Sequence, residues 1–480
     1  MMINPVLLIA IPLGLAFIAV ILKKLQGWIL AIGVAANAFL VFFVEKGETA
    51  IGGFKLPFAI SLVLDDFSFI GVILVNVLTL AAVAVAFRKT EKYVPVILAG
   101  LAGLNGMVLT GDMFNLFVFM EITAISAYIL SSEGRKPEQS FNYLVIGSIG
   151  SVLYLLGLIL IYGQTGTLNM SLMAEKSALI GQAAMVLPLV LIFAGIAVEA
   201  KILPMSGWVR GVLGNSNALT GVMFASVYSS AALMVFGRVF SQVLIPGTAA
   251  GVIIIVIALL TFAAGQVSAF RSKSLRQVLL YSSIAQSGLA AALFATGFVF
   301  PAVLVIINNA AGKMIMFSTA GNLEEKYGTD DYVGLGGAFV RNMPAGVAFT
   351  IAALSLTGLP LVFGFYAKLN VLAAYLNQGT FFVPAVVLAG TIIEGAYFIR
   401  ILIKLWAPGK EGEWADADQS VGEKKIFNPA GTVVVILVTL LIILSGFLPD
   451  SVGKLVAPGG GLLGDEGPSI SLTMEKGGDQ

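Results

Sequence analysis

Residues 353–372 read ALSLTGLPLVFGFYAKLNVL, an apolar stretch that Gly358-Leu359-Pro360 interrupts and that carries Lys368 about two helical turns later. Proline removes a backbone donor and breaks a helix. A lysine in hydrocarbon is costly, so such a residue normally faces a protein interior and marks an ion or substrate path. The stretch therefore predicts a broken transmembrane helix with a buried cation.

The whole chain has the composition of an integral membrane protein. Of its 480 residues, 58% are hydrophobic and 11% are charged, whereas soluble domains run near a quarter charged. Most apolar stretches are long enough to cross a bilayer as helices, and they predict an all-α fold with about 14 transmembrane helices. The seventh and twelfth predicted spans, at 183–203 and 345–375, contain the Leu-Pro breaks.

The chain divides into five predicted parts. Residues 1–91 hold helices 1–3 with a hairpin or interfacial loop at 48–64, 92–240 hold helices 4–8, 249–405 hold helices 9–13, 406–449 hold a polar loop and helix 14, and 450–480 form a flexible tail. Leu203-Pro204 and Leu359-Pro360 recur at an offset of 156 residues. This echo favours two five-helix repeats with broken helices 7 and 12, and an odd number of helices per repeat makes the copies inverted.

Loop charges predict the orientation. If both termini lie on the non-cytoplasmic side, the inner loops hold 18 Lys and Arg and the outer side holds six. Basic residues are enriched in cytoplasmic loops, so we expect a multi-pass protein of the cell membrane with both termini outside. Asp65, Asp66 and Asp112 stand at span ends, where we expect them to be solvated.

The composition also excludes several kinds of site. The chain has no Cys and no His, so thiolate metal sites and cysteine-ligated iron–sulfur clusters are impossible, and haem ligation is not expected. We predict no cofactor or metal site in this chain, with Na⁺ or H⁺ only as a transported ion. The net charge of +1 gives no indication of nucleic-acid binding.

Six charged residues within the predicted spans are candidates for a proton or ion relay. They are Glu121, Glu199, Lys201, Lys313, Lys368 and Glu394. A desolvated lysine can release its proton, whereas an arginine does not. We expect the intramembrane cations to be these three lysines, with no arginine among them.

Simpler interpretations remain open for these residues. Lys201 could extend to the membrane interface from a helix end, and Lys313 or Glu394 could be one half of a fixed ion pair. For the whole chain, the alternatives are a stand-alone secondary transporter of a small solute, which needs a midplane pocket, and a structural membrane subunit that does not conduct.

Several stretches resemble the antiporter-like membrane subunits shared by respiratory complex I, Mrp-type sodium/proton antiporters and membrane-bound hydrogenase-type complexes. The resemblance covers about residues 65–405, and the stretches that carry it are 115–130 around Glu121, 203–208, 275–288 (LRQVLLYSSIAQSG), 307–321 (INNAAGKMIMFSTAG) and 353–372. It implies fourteen helices with two inverted five-helix repeats. It also implies ion translocation beside other membrane subunits, which would carry any redox centre.

The resemblance further implies roles for individual residues. Glu121 falls on an acid of the fifth helix that pairs with a lysine of the broken seventh, and Lys368 falls on the exit residue of the broken twelfth. The family's lysine usually stands five residues before the proline, where this chain has Glu199, while Lys201 stands three before it. This Glu-Ala pattern resembles the archaeal hydrogenase-related subunits more closely.

Two further departures concern the path between the repeats. Tyr228, Ser229 and Ser230 stand where family members often carry Lys or His in helix eight, and Asn309 stands where they often carry His in helix eleven. Hydroxyls and amides hold water but do not titrate near neutral pH. We therefore expect the connection between the halves to be water-bridged, altered or absent.

Overall fold

The computed structural model describes residues 3–53, 59–132, 136–243, 248–408, 426–448 and 453. Most of the predicted polar loop after residue 408 and nearly all of the tail predicted at 450–480 lie outside these residues. The described chain is mostly helical.

The helices up to residue 243 are α1 (Leu7–Ile21), α2 (Gln26–Leu40), α3 (Asp66–Val85), α4 (Phe87–Thr90), α5 (Val94–Leu109), α6 (Met113–Ser131), α7 (Pro137–Thr165), α8 (Met170–Ser177), α9 (Gln182–Glu199), α10 (Gly207–Leu213), α11 (Ala218–Val222) and α12 (Ser229–Val243). A π-helical segment, Met223–Tyr228, joins α11 to α12. Short 3₁₀ helices are Lys23–Leu25, Val41–Phe43 and Glu91–Tyr93.

The helices after residue 248 are α13 (Ala249–Arg271), α14 (Leu275–Ala295), α15 (Val299–Tyr327), α16 (Ala338–Arg341), α17 (Met343–Thr357), α18 (Phe363–Asn377), α19 (Phe382–Trp406) and α20 (Pro429–Phe447). Within the described residues, 12 helical segments are long and apolar enough to cross a membrane. The first and twelfth predicted spans contain shorter helices, namely α1 and the pair α17 and α18. The chain is thus a multi-pass membrane protein, while the count of fourteen and the division into repeats stay predictions.

A two-stranded antiparallel sheet lies between α2 and α3. Strand β1 (Gly47–Ile51) pairs with β2 (Ile60–Leu64), in the stretch where a hairpin or interfacial loop was predicted. Asn169, just before α8, donates to Ser61 Oγ at 3.1 Å and to Glu48 Oε1 at 3.2 Å. Leu62 also bridges to Thr110, between α5 and α6. The connections between α2 and α3, between α5 and α6, and between α7 and α8 therefore lie at the same end of the bundle. This arrangement agrees with helices that alternate in direction.

Both predicted helix breaks are present. Helix α9 ends at Glu199, and the chain turns through Lys201, with φ of 61°, and a cis Leu203-Pro204 bond before α10. Between α17 and α18, Gly358 and Leu361 have φ of 77° and 75°. Positive φ values end a right-handed helix, so the backbone ends the helix before Pro204 at the first break and on both sides of Pro360 at the second.

Helix α14 lies at the centre of the bundle. Among the spans of the described residues, the apolar windows of α14 and of Ala218–Ser241 are 94% and 100% buried. The window of α20, in contrast, is 22% buried. Polar side chains on α14 are therefore enclosed by protein and kept away from lipid.

The expectation that no arginine lies within the spans was wrong. Arg238 of α12 is buried and donates to both carboxylate oxygens of Asp65, at 2.6 and 2.7 Å. Arg276 of α14 is also buried and forms an ion pair with Glu324. A guanidinium that meets a carboxylate in this way recovers part of its lost hydration, which composition alone does not reveal.

Asp65 and Asp112 were also predicted to be solvated, and the structure corrects this. Asp65 is half-buried beneath Arg238 and caps α3 through Ser68 N at 2.8 Å. Asp112 is buried and caps α6 through Asn115 N at 2.8 Å. A carboxylate at a helix N-terminus satisfies free backbone donors, so these acids are structural caps.

A chain of three buried asparagines joins the N-terminal helices. Pro12 lacks the N–H that would bond to the carbonyl of Leu8, and this carbonyl accepts from Asn37 at 3.3 Å and from Asn105 at 3.0 Å. Asn76 of α3 connects the two, because it accepts from Asn37 at 2.8 Å and donates to Asn105 Oδ1 at 2.8 Å. The helix defect in α1 is thus compensated by amides from α2 and α5.

Candidate functional site

Two consecutive serines of α14 hold two of the predicted lysines. Ser282 Oγ accepts from Lys313 Nζ at 2.7 Å, and Ser283 Oγ accepts from Lys201 Nζ at 2.7 Å. Neighbouring residues of a helix point about 100° apart, so the two lysines approach α14 from different sides. Lys201 arrives from the break after α9, and Lys313 arrives from α15.

Lys201 is buried in the bundle, with 0% of its surface exposed. The interpretation in which it extends to the membrane interface is therefore wrong. Its left-handed backbone conformation directs the chain away from the axis of α9. Because of this turn, the side chain reaches α14 instead of continuing along its own helix.

Glu394 of α19 is the centre of the hydrogen-bond network in the second half. Lys368 Nζ lies 2.8 Å from its Oε2, and Gln286 Nε2 donates to its Oε1 at 3.0 Å. Tyr397 and Ser282 also donate to Oε1, at 3.4 and 3.5 Å. Glu394 has 0% of its surface exposed, so four side chains replace the water that a carboxylate would otherwise bind.

The break between α17 and α18 positions Lys368. A Cβ atom on Gly358 would lie 2.7 Å from Lys368 Cδ, so the stem of the lysine passes directly over this glycine. Ser355 fastens the break from the other side, because its hydroxyl donates to Asn308 Oδ1 at 2.6 Å and accepts from Gly364 N at 3.0 Å. The lysine is thereby aimed at α19.

Lys313 has a hydroxyl and an aromatic ring as its near neighbours. Besides Ser282, its ammonium lies 5.7 Å from the centre of the Phe398 ring, a distance at which a cation is attracted to a ring face. Among the described residues, the ion pair at Glu394 is made by Lys368, and Ser282 stands between Glu394 and Lys313. The fixed-pair interpretation therefore describes Lys368 and Glu394 better than it describes Lys313.

The two acids of the first half lie apart from Lys201. Glu199 Oε2 accepts from Tyr143 OH at 3.0 Å, and Glu121 Oε1 accepts from Ser151 Oγ. Glu121 and Glu199 are close enough to interact electrostatically. The pairing of Glu121 with Lys201 that the family resemblance implied is not found in the described structure, because Lys201 lies beyond the end of α9 and bonds to α14.

An aromatic cluster lies beside Glu199. The Tyr143 ring stacks on Trp208 with centroids 3.9 Å apart and meets Tyr128 edge-on at 4.7 Å. Trp208 Nε1 donates to the carbonyl of Val198 at 3.1 Å. The helix break thus packs against the partner of Glu199, and a movement of one would shift the other.

The π-helical segment and its neighbours supply the polar groups between the halves. Tyr228 OH lies 3.1 Å from Ser126 Oγ, and Ser230 donates to the carbonyl of Ser226 at 2.6 Å. The buried side-chain oxygens of Ser226, Ser229 and Asn309 have no hydrogen-bond partner within the described residues. Groups of this kind are normally satisfied by water, and π-helical turns are frequent at functional sites.

Ser282, Ser283 and Gln286 of α14 are site residues that were not predicted as such from the sequence. The available signal was three polar side chains within two turns of an apolar span, with Ser282 and Gln286 spaced to share a helix face. Tyr397, three residues after Glu394, was equally visible.

A family model described as "NADH:quinone oxidoreductase/Mrp antiporter, TM" matches residues 110–393. The NADH-quinone oxidoreductase subunit N of Desulforudis audaxviator is 30% identical over 474 residues, covering 90% of this chain and 93% of the relative. The D-type subunit of the Na⁺/H⁺ antiporter of Alkalihalophilus pseudofirmus is 30% identical over 456 residues, covering 92% and 88%.

The fold is similar to that of chains in solved membrane complexes. A chain of the membrane-bound sulfane sulfur reductase, an archaeal respiratory membrane complex, superposes with a TM-score of 0.84 at 30% identity, covering 94% of this chain and 96% of that one. A chain of the Mrp complex from Dietzia sp. has a TM-score of 0.82 at 22% identity, covering 94% and 95%. At the latter identity the likeness concerns the fold alone.

Proposed function

This chain belongs to the family of transmembrane subunits shared by NADH:quinone oxidoreductases and Mrp antiporters, and from this membership we propose that it moves protons, with or without exchange for sodium ions. It would do so as one subunit of a multisubunit membrane complex. The relatives named above are subunits of this kind. No redox centre is proposed in this chain, which contains neither Cys nor His.

The observation that carries the proposal is that three buried lysines lie around α14 and that one of them, Lys368, forms an ion pair with a carboxylate. Lys201 and Lys313 are held by hydroxyl groups, and Lys368 is held by Glu394. Burying an unpaired charge is strongly unfavourable, so a state with all three lysines protonated is costly. Such a cluster favours proton movement over a fixed distribution of charge.

We propose that the six candidate residues act in sequence. A proton arriving near Glu121 and Glu199 changes the charge of the first half, and Lys201 responds across the aromatic cluster. Lys313 and the pair of Lys368 and Glu394 then take up or release a proton in the second half. Charges influence one another over such distances because the interior has a low dielectric constant.

Orientation and cellular location complete the proposal. The excess of basic residues in one set of loops favours termini on the non-cytoplasmic side of the cell membrane. Arg238, one of the six outer residues in that count, lies buried within α12. Without Arg238 and without Arg276, which is buried in α14 and belongs to the inner set, the count is 17 inner to five outer residues.

Reconstitution of the purified complex into liposomes tests the proposal. Lys368→Ala and Glu121→Gln should each lower the initial rate of proton uptake by about tenfold or more, because each removes a titratable group from the relay. Lys24→Ala, in an exposed connection, serves as the matched control and should keep the wild-type rate. Wild-type rates in both relay variants would instead favour a subunit that does not conduct.

A further inference from the structure

We propose that the hydroxyl group of Ser282 passes the proton between Lys313 and Glu394. The inference rests on the proposed function and assigns one of its steps to a residue outside the six candidates. Ser282 is buried, with 0% of its surface exposed. It lies on α14, which protein encloses on nearly all sides.

The distances define a bridge between the two groups. Lys313 Nζ lies 2.7 Å from Ser282 Oγ, and Ser282 Oγ lies 3.5 Å from Glu394 Oε1. In this arrangement the ammonium donates to the serine oxygen, and the serine O–H donates to the carboxylate. A hydroxyl is suited to this place because it is a donor and an acceptor at once.

The proton balance of the step is simple. An N–H bond of the Lys313 ammonium breaks as the proton bonds to Ser282 Oγ. The original serine O–H bond breaks as that proton bonds to Glu394 Oε1. Lys313 changes from ammonium to amine, Glu394 changes from carboxylate to carboxylic acid, and Ser282 is unchanged once its hydroxyl rotates back.

The other groups around Glu394 are placed for different tasks. Lys368 contacts the opposite oxygen, Oε2, at 2.8 Å, so the carboxyl group has one oxygen toward each lysine. Gln286 donates to Oε1 at 3.0 Å, and an amide donor holds a carboxylate without readily giving up its proton. The Tyr397 hydroxyl is divided between two acceptors, because it lies 3.0 Å from Gln266 Oε1 and 3.4 Å from Glu394 Oε1.

The neighbouring serines of α14 provide matched comparisons. Ser283 bonds to Lys201, on another side of the helix. Ser287 is buried on the same helix, and its hydroxyl has no hydrogen-bond partner among the described residues. Removal of the Ser287 hydroxyl therefore changes helix composition and volume as much as removal of the Ser282 hydroxyl, without touching the bridge.

The test compares Ser282→Ala, Ser282→Thr, Ser287→Ala and Lys368→Ala in the assembled complex, reconstituted in liposomes that contain a pH dye. We expect Ser282→Ala to lower proton uptake by about tenfold or more, and Ser282→Thr to restore most of it because the hydroxyl returns. Ser287→Ala should keep the wild-type rate. The ratio of rates in H₂O and D₂O should rise in Ser282→Ala and fall again in Ser282→Thr, which a purely structural role would not produce.

Distinct outcomes separate this inference from the proposed function. A wild-type rate in Ser282→Ala together with a lost rate in Lys368→Ala overturns the bridge and leaves the relay standing. Equal losses in Ser282→Ala and Ser282→Thr, both assembled, also overturn the bridge. A wild-type rate in Lys368→Ala, together with a wild-type rate in Glu121→Gln, refutes the proposed function itself.

Ser282→Cys serves if Ser282→Ala does not assemble. A thiol nearly keeps the shape of the serine but is a weak donor and a weak acceptor. We expect slow transport from this variant, and a wild-type rate would contradict the bridge.

Discussion

The ammonium of Lys368 lies 2.8 Å from Oε2 of Glu394, and this ion pair joins α18 to α19 inside the bundle. The carboxylate is fully buried, and the lysine side chain is 11% exposed. A buried pair of this kind does not guarantee stability, since much of the attraction is offset by lost hydration. Its loss on one side only is costly, because the remaining charge has no partner.

Removal of one or both partners separates folding from transport. Lys368→Met should lower the free energy of unfolding by about 3–5 kcal/mol, because it leaves Glu394 buried and unpaired. The double variant Lys368→Met/Glu394→Gln should recover most of that loss but not regain proton transport. Thermal unfolding in detergent and uptake in liposomes measure the two effects. A double variant that is as unstable as the single one would contradict this account.

Substitution of Gly358 is predicted to be harmful because this residue has a left-handed backbone conformation and lies against the side chain of Lys368. Gly358→Ala should cost about 1–2 kcal/mol for its φ of 77°. The new methyl group would also push the stem of Lys368 away from Glu394, so uptake should fall together with the unfolding temperature. Gly395→Ala is the matched control, since a Cβ there meets no atom of the described part of the chain within 4 Å. Similar losses in both variants would refute the steric argument.

The asparagine chain is predicted to support the fold without taking part in transport. Asn76→Ala should destabilise the protein by about 1–3 kcal/mol, because it leaves a buried donor of Asn37 and a buried acceptor of Asn105 unpaired. Thr79→Val, on the same helix, removes a hydroxyl whose bond within the described residues is to the carbonyl of Val75, and it should cost less. Transport per assembled complex should stay unchanged in both. A selective loss of transport in Asn76→Ala would show that the chain is part of the ion path.

Asp65 gives a prediction about acid stability. Burial raises the pKa of this carboxyl, but the Arg238 guanidinium and the Ser68 hydrogen bonds outweigh burial and hold the pKa below its ordinary value of 3.8. A depressed pKa in the folded state adds stability above the ordinary value, and this stability is lost as the pH falls through the folded-state value. The pair should therefore be intact at neutral pH and fail only in strong acid.

Unfolding temperatures measured against pH check this sign. The wild-type protein should lose stability as the pH falls below 3.8, and Asp65→Asn should be less stable at neutral pH with a flatter acid limb. Asp66→Asn is the control, because its partner Lys46 is 53% exposed and exposed pairs contribute little. Equal effects of the two variants would refute a special role for Asp65.

Backbone features were the easiest to predict from the sequence. Leu203-Pro204 and Leu359-Pro360 mark the breaks because proline acts on its own helix. The burial of Lys201, Lys313, Lys368 and Glu394 followed from the cost of charge in hydrocarbon. The properties of single residues were enough to predict the helix breaks and the buried charges.

Partnerships between distant residues could not be predicted in the same way. Lys201 and Ser283 are 82 positions apart, and Arg238 and Asp65 are 173 apart. Lys201 lies past the end of α9 and bonds to α14, whereas the family resemblance implied a pairing with Glu121 of α6. Such pairings depend on how helices pack, which hydropathy does not encode.

The amides that bond to the carbonyl of Leu8 carry no net charge, whereas each lysine around α14 carries a charge whenever it is protonated. Moving one elementary charge through a transmembrane voltage changes its energy by about 2.3 kcal/mol per 100 mV. An electric field across the bilayer therefore exerts force on the lysines and none, to first order, on the three asparagines. We expect energisation of the membrane to pull α15 and α18 against N-terminal helices that do not respond.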